Sequence, residues 1–127
     1  MIATTKDLVN MHNMYGVTFD FDLNTNIRYV VGKSASDNWT IHRASSQSDV
    51  VFHLDKFSSP YVIVNVPLTD LTNDQIRLAA YLCKMYSKHK AHNNLGVLYT
   101  PISNTKLAHE VGSFNIVSNK KKRIIYL

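Results

Sequence analysis

Asp49-Val-Val-Phe-His-Leu54 and Tyr61-Val-Ile-Val-Asn-Val66, separated by Asp55-Lys-Phe-Ser-Ser-Pro60, decide how this chain folds. Both runs are short and rich in β-branched and aromatic residues, and they predict two central strands of a sheet. Pro67 ends the second run, and Thr72-Asn-Asp-Gln75 supplies a capping box for a helix running to about Lys90. At about 100° per residue, Ile76, Leu78, Ala79, Ala80, Leu82, Cys83 and Tyr86 share one arc of that helix. Arg77, Tyr81, Lys84 and Lys88 fall opposite, so one face packs and the other reaches outward.

Upstream, Val17-Thr-Phe-Asp-Phe-Asp-Leu23 alternates with period two, Asn24-Thr-Asn26 has turn chemistry, and Ile27-Arg-Tyr-Val-Val31 is extended again, a hairpin. Ser34-Ala-Ser-Asp37 then caps a short helix through Ala44, which the Ser45–Ser48 loop ends. Thr5 to Met14 reads as a short helix or a terminal arm, so residues 1–15 are set apart from a domain over 16–127. Downstream of the Asn93–Gly96 turn come extended stretches at Val97–Thr100, Gly112–Ser118 and Arg123–Leu127, the last two joined by a basic turn, Asn119-Lys120-Lys121-Lys122. Strands with two interposed helices predict a single α+β domain with a largely antiparallel or mixed sheet.

With 127 residues and 45% hydrophobic content the chain holds one core. No apolar run reaches the roughly 18 to 20 residues of a membrane span, and the first residues lack the apolar stretch of a secretory signal, so the expectation is a soluble cytoplasmic protein without membrane contact. One cysteine, Cys83, excludes an internal disulfide and reads as a small core residue. The net charge of +5 is unevenly spread. Residues 1–76 hold five Lys/Arg against eight Asp, net −3, and residues 77–127 hold nine against Glu110 alone, net +8. A positive half of this kind suits a polyanion such as nucleic acid.

The residues also resemble a known family over about Ile27 to Leu127. Val31-Gly32-Lys33 followed by Asn38 matches V-G-K-(x4)-N, and Asp49-Val-Val-Phe-His53 matches D-I-W-[FL]-H. Ala79 to Lys90, with Tyr86-Ser87-Lys88, parallels A-A-x-L-A-x-Y-S-K-x-K, and Val97-Leu-Tyr99-Thr100 with Lys106 and Gly112 parallels V-x-Y-T…K…G. In this order the blocks resemble the NFACT-R module, the RNA-binding domain of ribosome-quality-control factors. His53–Ser59 and Tyr99–Lys106 are most similar to a stand-alone member of that family. The resemblance implies RNA binding, with tRNA, ribosomal RNA or the ribosome as partner, and no cofactor. It assigns structural roles to the motif positions Gly32, Asn38, Asp49, His53, Tyr86, Ser87, Tyr99, Thr100 and Gly112. Two positions depart from the pattern. Val51 stands where the family has tryptophan, and Tyr61 where it has histidine, which keeps stacking capacity and loses a titrating group.

Gly32-Lys33 lacks the earlier glycine of a phosphate-binding ATPase loop, because position 27 is Ile, which argues against nucleotide hydrolysis. Lys33 remains a candidate phosphate contact beside the start of a helix. Cys83, His89 and His92 have ligand chemistry but do not converge on a helix, so no metal site is expected. His53 reads as a core histidine with its ring nitrogens paired, and no nucleophile is assignable beside it, so no catalytic residue is expected. The nucleic-acid-binding candidates are therefore Lys33, Arg77, Tyr81, Lys84, Lys88, Lys90, Lys106, Lys120, Lys121, Lys122 and Arg123, with cations for phosphates and Tyr81 for a stacked base. The alternatives are a DNA-binding module and a protein-interaction module that docks a translation partner along a strand edge. The oligomeric state is left open.

Overall fold

The computed structural model describes residues 16–21 and 25–127. The expected arm or helix over 1–15 lies outside the described residues. The elements are β1 (Gly16–Phe19), β2 (Tyr29–Gly32), α1 (Ala35–Ala44), β3 (Val50–Leu54), β4 (Val62–Val64), α2 (Asn73–Met85), β5 (Gly96–Pro101), β6 (Thr105–Leu107), β7 (Phe114–Ile116) and β8 (Arg123–Tyr126). Single 3₁₀ turns lie at Leu68–Asp70, Ile102–Asn104 and Asn119–Lys121.

Six strands pair antiparallel in the order β1-β2-β4-β3-β5-β8, and β6 and β7 form a separate ribbon. The class is α+β, as expected. α1 carries the chain from β2 to β3 across β4, and α2 carries it from β4 to β5 across β3. The two crossovers advance the same way along the sheet but leave from oppositely directed strands. Crossovers of one hand then put their helices on opposite faces.

The core bears this out. Val31, Val50, Phe52, Val62 and Val64 pack with Ala79, Ala80, Leu82 and Cys83 of α2. The alternate residues Val30, Val51 and Ile63 pack with Ile41 and Ala44 of α1. Both faces are covered, which is why β2, β3 and β4 read as near-continuous apolar runs. Val51, the substituted tryptophan position, is fully buried in the α1 layer.

Local signals set both helix starts. The Ser34 hydroxyl accepts from Asp37 N, and at Thr72 both halves of the capping box are made with Gln75. The expected end of α2 near Lys90 is corrected to Met85. Ser87 is the cause: its hydroxyl donates to Lys84 O at 2.7 Å, its N–H points to the same carbonyl, and the hydroxyl accepts from His89 N. A side chain that takes over its own helix's carbonyl competes with the next turn. Tyr86, placed on the packed arc by spacing, is half exposed and meets Phe19 edge-on.

The C-terminal extended stretches are shorter than expected and are joined by one more strand. The stretch read as Gly112–Ser118 is a strand only over Phe114–Ile116, and it pairs with β6, which sequence reasoning missed. β8 adds to β5. No helix among the described residues is long and apolar enough to cross a membrane.

Candidate nucleic-acid interface

The basic candidates divide among three places. The first is the outer side of α2, where Arg77, Tyr81, Lys84 and Lys90 line a groove of about 540 Å³ with Leu78 and Met85. Burial of Ala79, Ala80 and Cys83 against the sheet fixes which side faces out. The Lys84 ammonium donates to Leu127 O at 3.2 Å, which holds that side chain along the groove. Tyr81 is 51% exposed between the cations, and Asp74 is the one acidic side chain on the wall. Cations around an exposed ring suit phosphates plus a stacked base. Lys88, assigned to this stripe by helical spacing, lies beyond the helix end and lines a different cavity; Lys106 lines neither.

The second place is a cleft of about 800 Å³ into which the motif blocks converge. Its construction starts at Gly32. A Cβ there would run into the Asn38 amide, so the glycine and the asparagine six residues on require each other. Buried Asn38 accepts from Tyr61 N at 3.0 Å and donates to Ser59 O at 3.3 Å, fixing the β3–β4 loop against α1. This also occupies the asparagine of the Asn38-Trp-Thr40 sequon. Ser59 accepts from Leu54 N and closes the loop onto the strand end. Gly112 has φ +87°, and a side chain there would strike Ala35 at the start of α1.

Around this frame stand Lys33, Lys56, Lys88 and His89 on the rim and His53 on the wall. His53 is only partly the core residue expected: its Nδ1 meets Leu54 O at 2.7 Å, while the other ring nitrogen has no protein partner among the described residues. Burial pulls its pKa down, opposed by the Leu54 hydrogen bond. Phe57 stacks on His89 at 4.1 Å and is 37% exposed. Lys56, Phe57 and His89 escaped sequence reasoning, since nothing local marks a loop residue as facing a helix end that comes over thirty positions later.

The third place is the turn Lys120–Lys122 with Arg123. Asn104 pins it by accepting from Ser118 N and donating to Ser118 O, and Thr100 donates to Lys121 O. Two further motif positions make packing and turn contacts. Tyr99 stacks on Phe52, and Asp49 accepts from Ser46 N in the turn before β3, burial raising its carboxyl to about 6. Tyr61 is fully buried against Phe114 at 5.2 Å, so its stacking capacity is spent within the core. Cys83 is buried, its thiol pushed up to about 12 by desolvation. Among the described residues no group of three or more His, Cys, Asp or Glu could hold a metal ion.

A family profile described as "NFACT protein RNA binding domain" matches residues 17–118. Among solved structures, the C-terminal part of the fibronectin/fibrinogen-binding protein from Streptococcus suis is similar with a TM-score of 0.72 at 16% sequence identity. The match covers 83% of this chain and 42% of that one, so the chain spans less than half of that structure, and the likeness is one of fold. No curated protein matches.

Proposed function

The chain belongs to the family of NFACT RNA-binding domains, and we propose that it is a non-catalytic cytoplasmic module that binds tRNA or ribosomal RNA in a translation or ribosome-quality-control setting. The observation that carries this reading is the α2 groove, where Arg77, Lys84 and Lys90 surround the exposed ring of Tyr81. Cations on an exposed helix face read phosphate and carry little sequence information, so affinity is modest, salt-sensitive and weakly selective.

The test is a salt titration with single-stranded RNA, tRNA and DNA of matched length. Neutralising three to five phosphates gives a slope of log K on log salt of about −2 to −3.5 on a single strand. A purified protein that binds none of these at low salt ends the reading, and equal slopes and affinities for DNA widen it to nucleic acid in general. A second reading, docking of an extended peptide, is favoured by the position of β8 at the edge of the sheet with Tyr126 58% exposed. Edge pairing survives neutralisation of the groove; phosphate binding does not.

A further inference from the structure

The α2 groove suits a backbone, whereas the cleft between α1, the β3–β4 loop and the segment after α2 has the features of a pocket. We infer that this cleft takes one unstacked nucleotide, its adenine or cytosine amino group donating to His53 Nε2 and its phosphate lying against the lysine rim. The inference rests on the RNA-binding reading and names the part of the ligand that reading leaves open.

The orientation of His53 follows from its partner. Leu54 O can only accept, so Nδ1 carries the ring proton and Nε2 presents a lone pair. Tyr61 and Phe114 meet the ring edge-to-face at 5.6 and 5.8 Å, which holds it in that pose. The loss of solvation that lowers its pKa keeps it an acceptor at neutral pH. An acceptor fixed in a cleft wall recognises an N–H donor. Adenine and cytosine offer an exocyclic amine, whereas uracil offers one N–H flanked by two carbonyl oxygens that face the same lone pair unfavourably.

Size and charge agree. About 800 Å³ lies within the range of about 300 to 1,000 Å³ typical of small-ligand sites. Lys33, Lys56 and Lys88 stand against Asp55 and Glu110, a net +1 that matches one phosphodiester rather than a run of them. Phe57, 37% exposed and stacked on His89, gives the base or its neighbour an aromatic surface at the rim.

The experiment measures binding of the pentanucleotides of A, C and U, and of free CMP and UMP, to the parent and to His53→Phe. The expected result is about tenfold tighter binding of the A and C oligomers than of the U oligomer, one hydrogen bond's worth. His53→Phe removes the preference, so that the A, C and U oligomers bind alike. Should that variant not fold, the ¹⁵N signal of His53 Nε2 in the parent is the readout: it moves with the C oligomer and stays with the U oligomer. Equal affinities with an unmoved His53 signal overturn the inference and leave RNA binding standing. No binding of any oligomer overturns both. A C oligomer more than tenfold tighter than CMP supports RNA as the source of the nucleotide; CMP as tight as the oligomer overturns that and makes a free nucleotide the ligand.

Discussion

The α2 groove and the motif cleft present similar chemistry, cations beside an aromatic, on opposite kinds of support. The groove is the outer surface of one helix, so each side chain stands nearly alone. The cleft is a set of interlocked contacts in which Gly32, Asn38, Ser59 and Gly112 have no freedom to differ. Function on a helix surface can be adjusted residue by residue; function in a frame of buried polar contacts is lost together with the fold. Substitutions should therefore separate the two, with stability effects at the cleft and affinity effects at the groove.

The largest effect is expected at Asn38. Asn38→Ala strips partners from Tyr61 N and Ser59 O, a loss of about 2 to 4 kcal/mol by denaturant unfolding. Gly32→Ala is damaging for a related reason, since the new methyl meets the Asn38 amide. The double variant should thus be less destabilised than the two losses added, with a coupling of about 1 kcal/mol or more. Strict additivity would mean that the glycine is required for something other than room for that amide.

Stability against pH offers a comparison within the α1 layer. Buried His42, with Nε2 at 2.7 Å from the Thr105 hydroxyl, has its pKa lowered to about 4 by desolvation and by Arg43. Its contribution is complete above its unfolded value near 6.5 and is lost as pH falls toward 4, about 3 kcal/mol in all. Asp49, raised from 3.8 to about 6, acts with the opposite sign: stability is gained as pH falls through 6 toward 3.8, by a similar amount. The parent should therefore show a shallow profile between pH 6.5 and 4, tilted downward by the depressed His53. Asp49→Asn should unmask a steep loss on acidification, and His42→Gln should flatten or reverse the slope. Parallel profiles for all three proteins would refute the opposition.

At the groove, the triple change of Arg77, Lys84 and Lys90 to Gln should leave stability within about 0.5 kcal/mol and reduce the magnitude of the salt slope by about 2. Tyr81→Ala should weaken RNA binding by about 1 to 3 kcal/mol with the slope unchanged. Gln at Lys120, Lys121 and Lys122 is the matched control; if only this control weakens binding, the interface lies at the C-terminal turn. The smallest expected effect is at Cys83, where iodoacetamide should label nothing until the protein unfolds.

The sequence was most informative where the signal was local. Ser34, Thr72 and Gln75 announced both helix starts, and alternating apolar residues announced the first hairpin. It was least informative where partners are distant. The Thr105–Leu107 strand is too short and mixed to register without Phe114–Ile116 opposite it, and the end of α2 turns on one serine hydroxyl. The groove was legible for the same reason as the helix, by periodicity, apart from Lys88. The cleft was not, because residues 32, 53, 57, 88 and 112 meet only through the crossovers. The family resemblance had marked several of these positions without saying that they share a wall.

The crossing of both helices over the central hairpin has a consequence for how the molecule opens. β3 and β4 are hydrogen-bonded on both sides and covered above and below, so their amides are exposed only when a whole crossover lifts away. Amide hydrogens there should exchange at the rate of global unfolding, while those of β1 at one sheet edge, and of the detached β6–β7 ribbon, exchange through openings that leave the rest closed. The cleft straddles this boundary. Its His53 wall belongs to the strand expected to exchange slowest and its Phe114 wall to the ribbon, so the two walls of one pocket should differ in amide exchange.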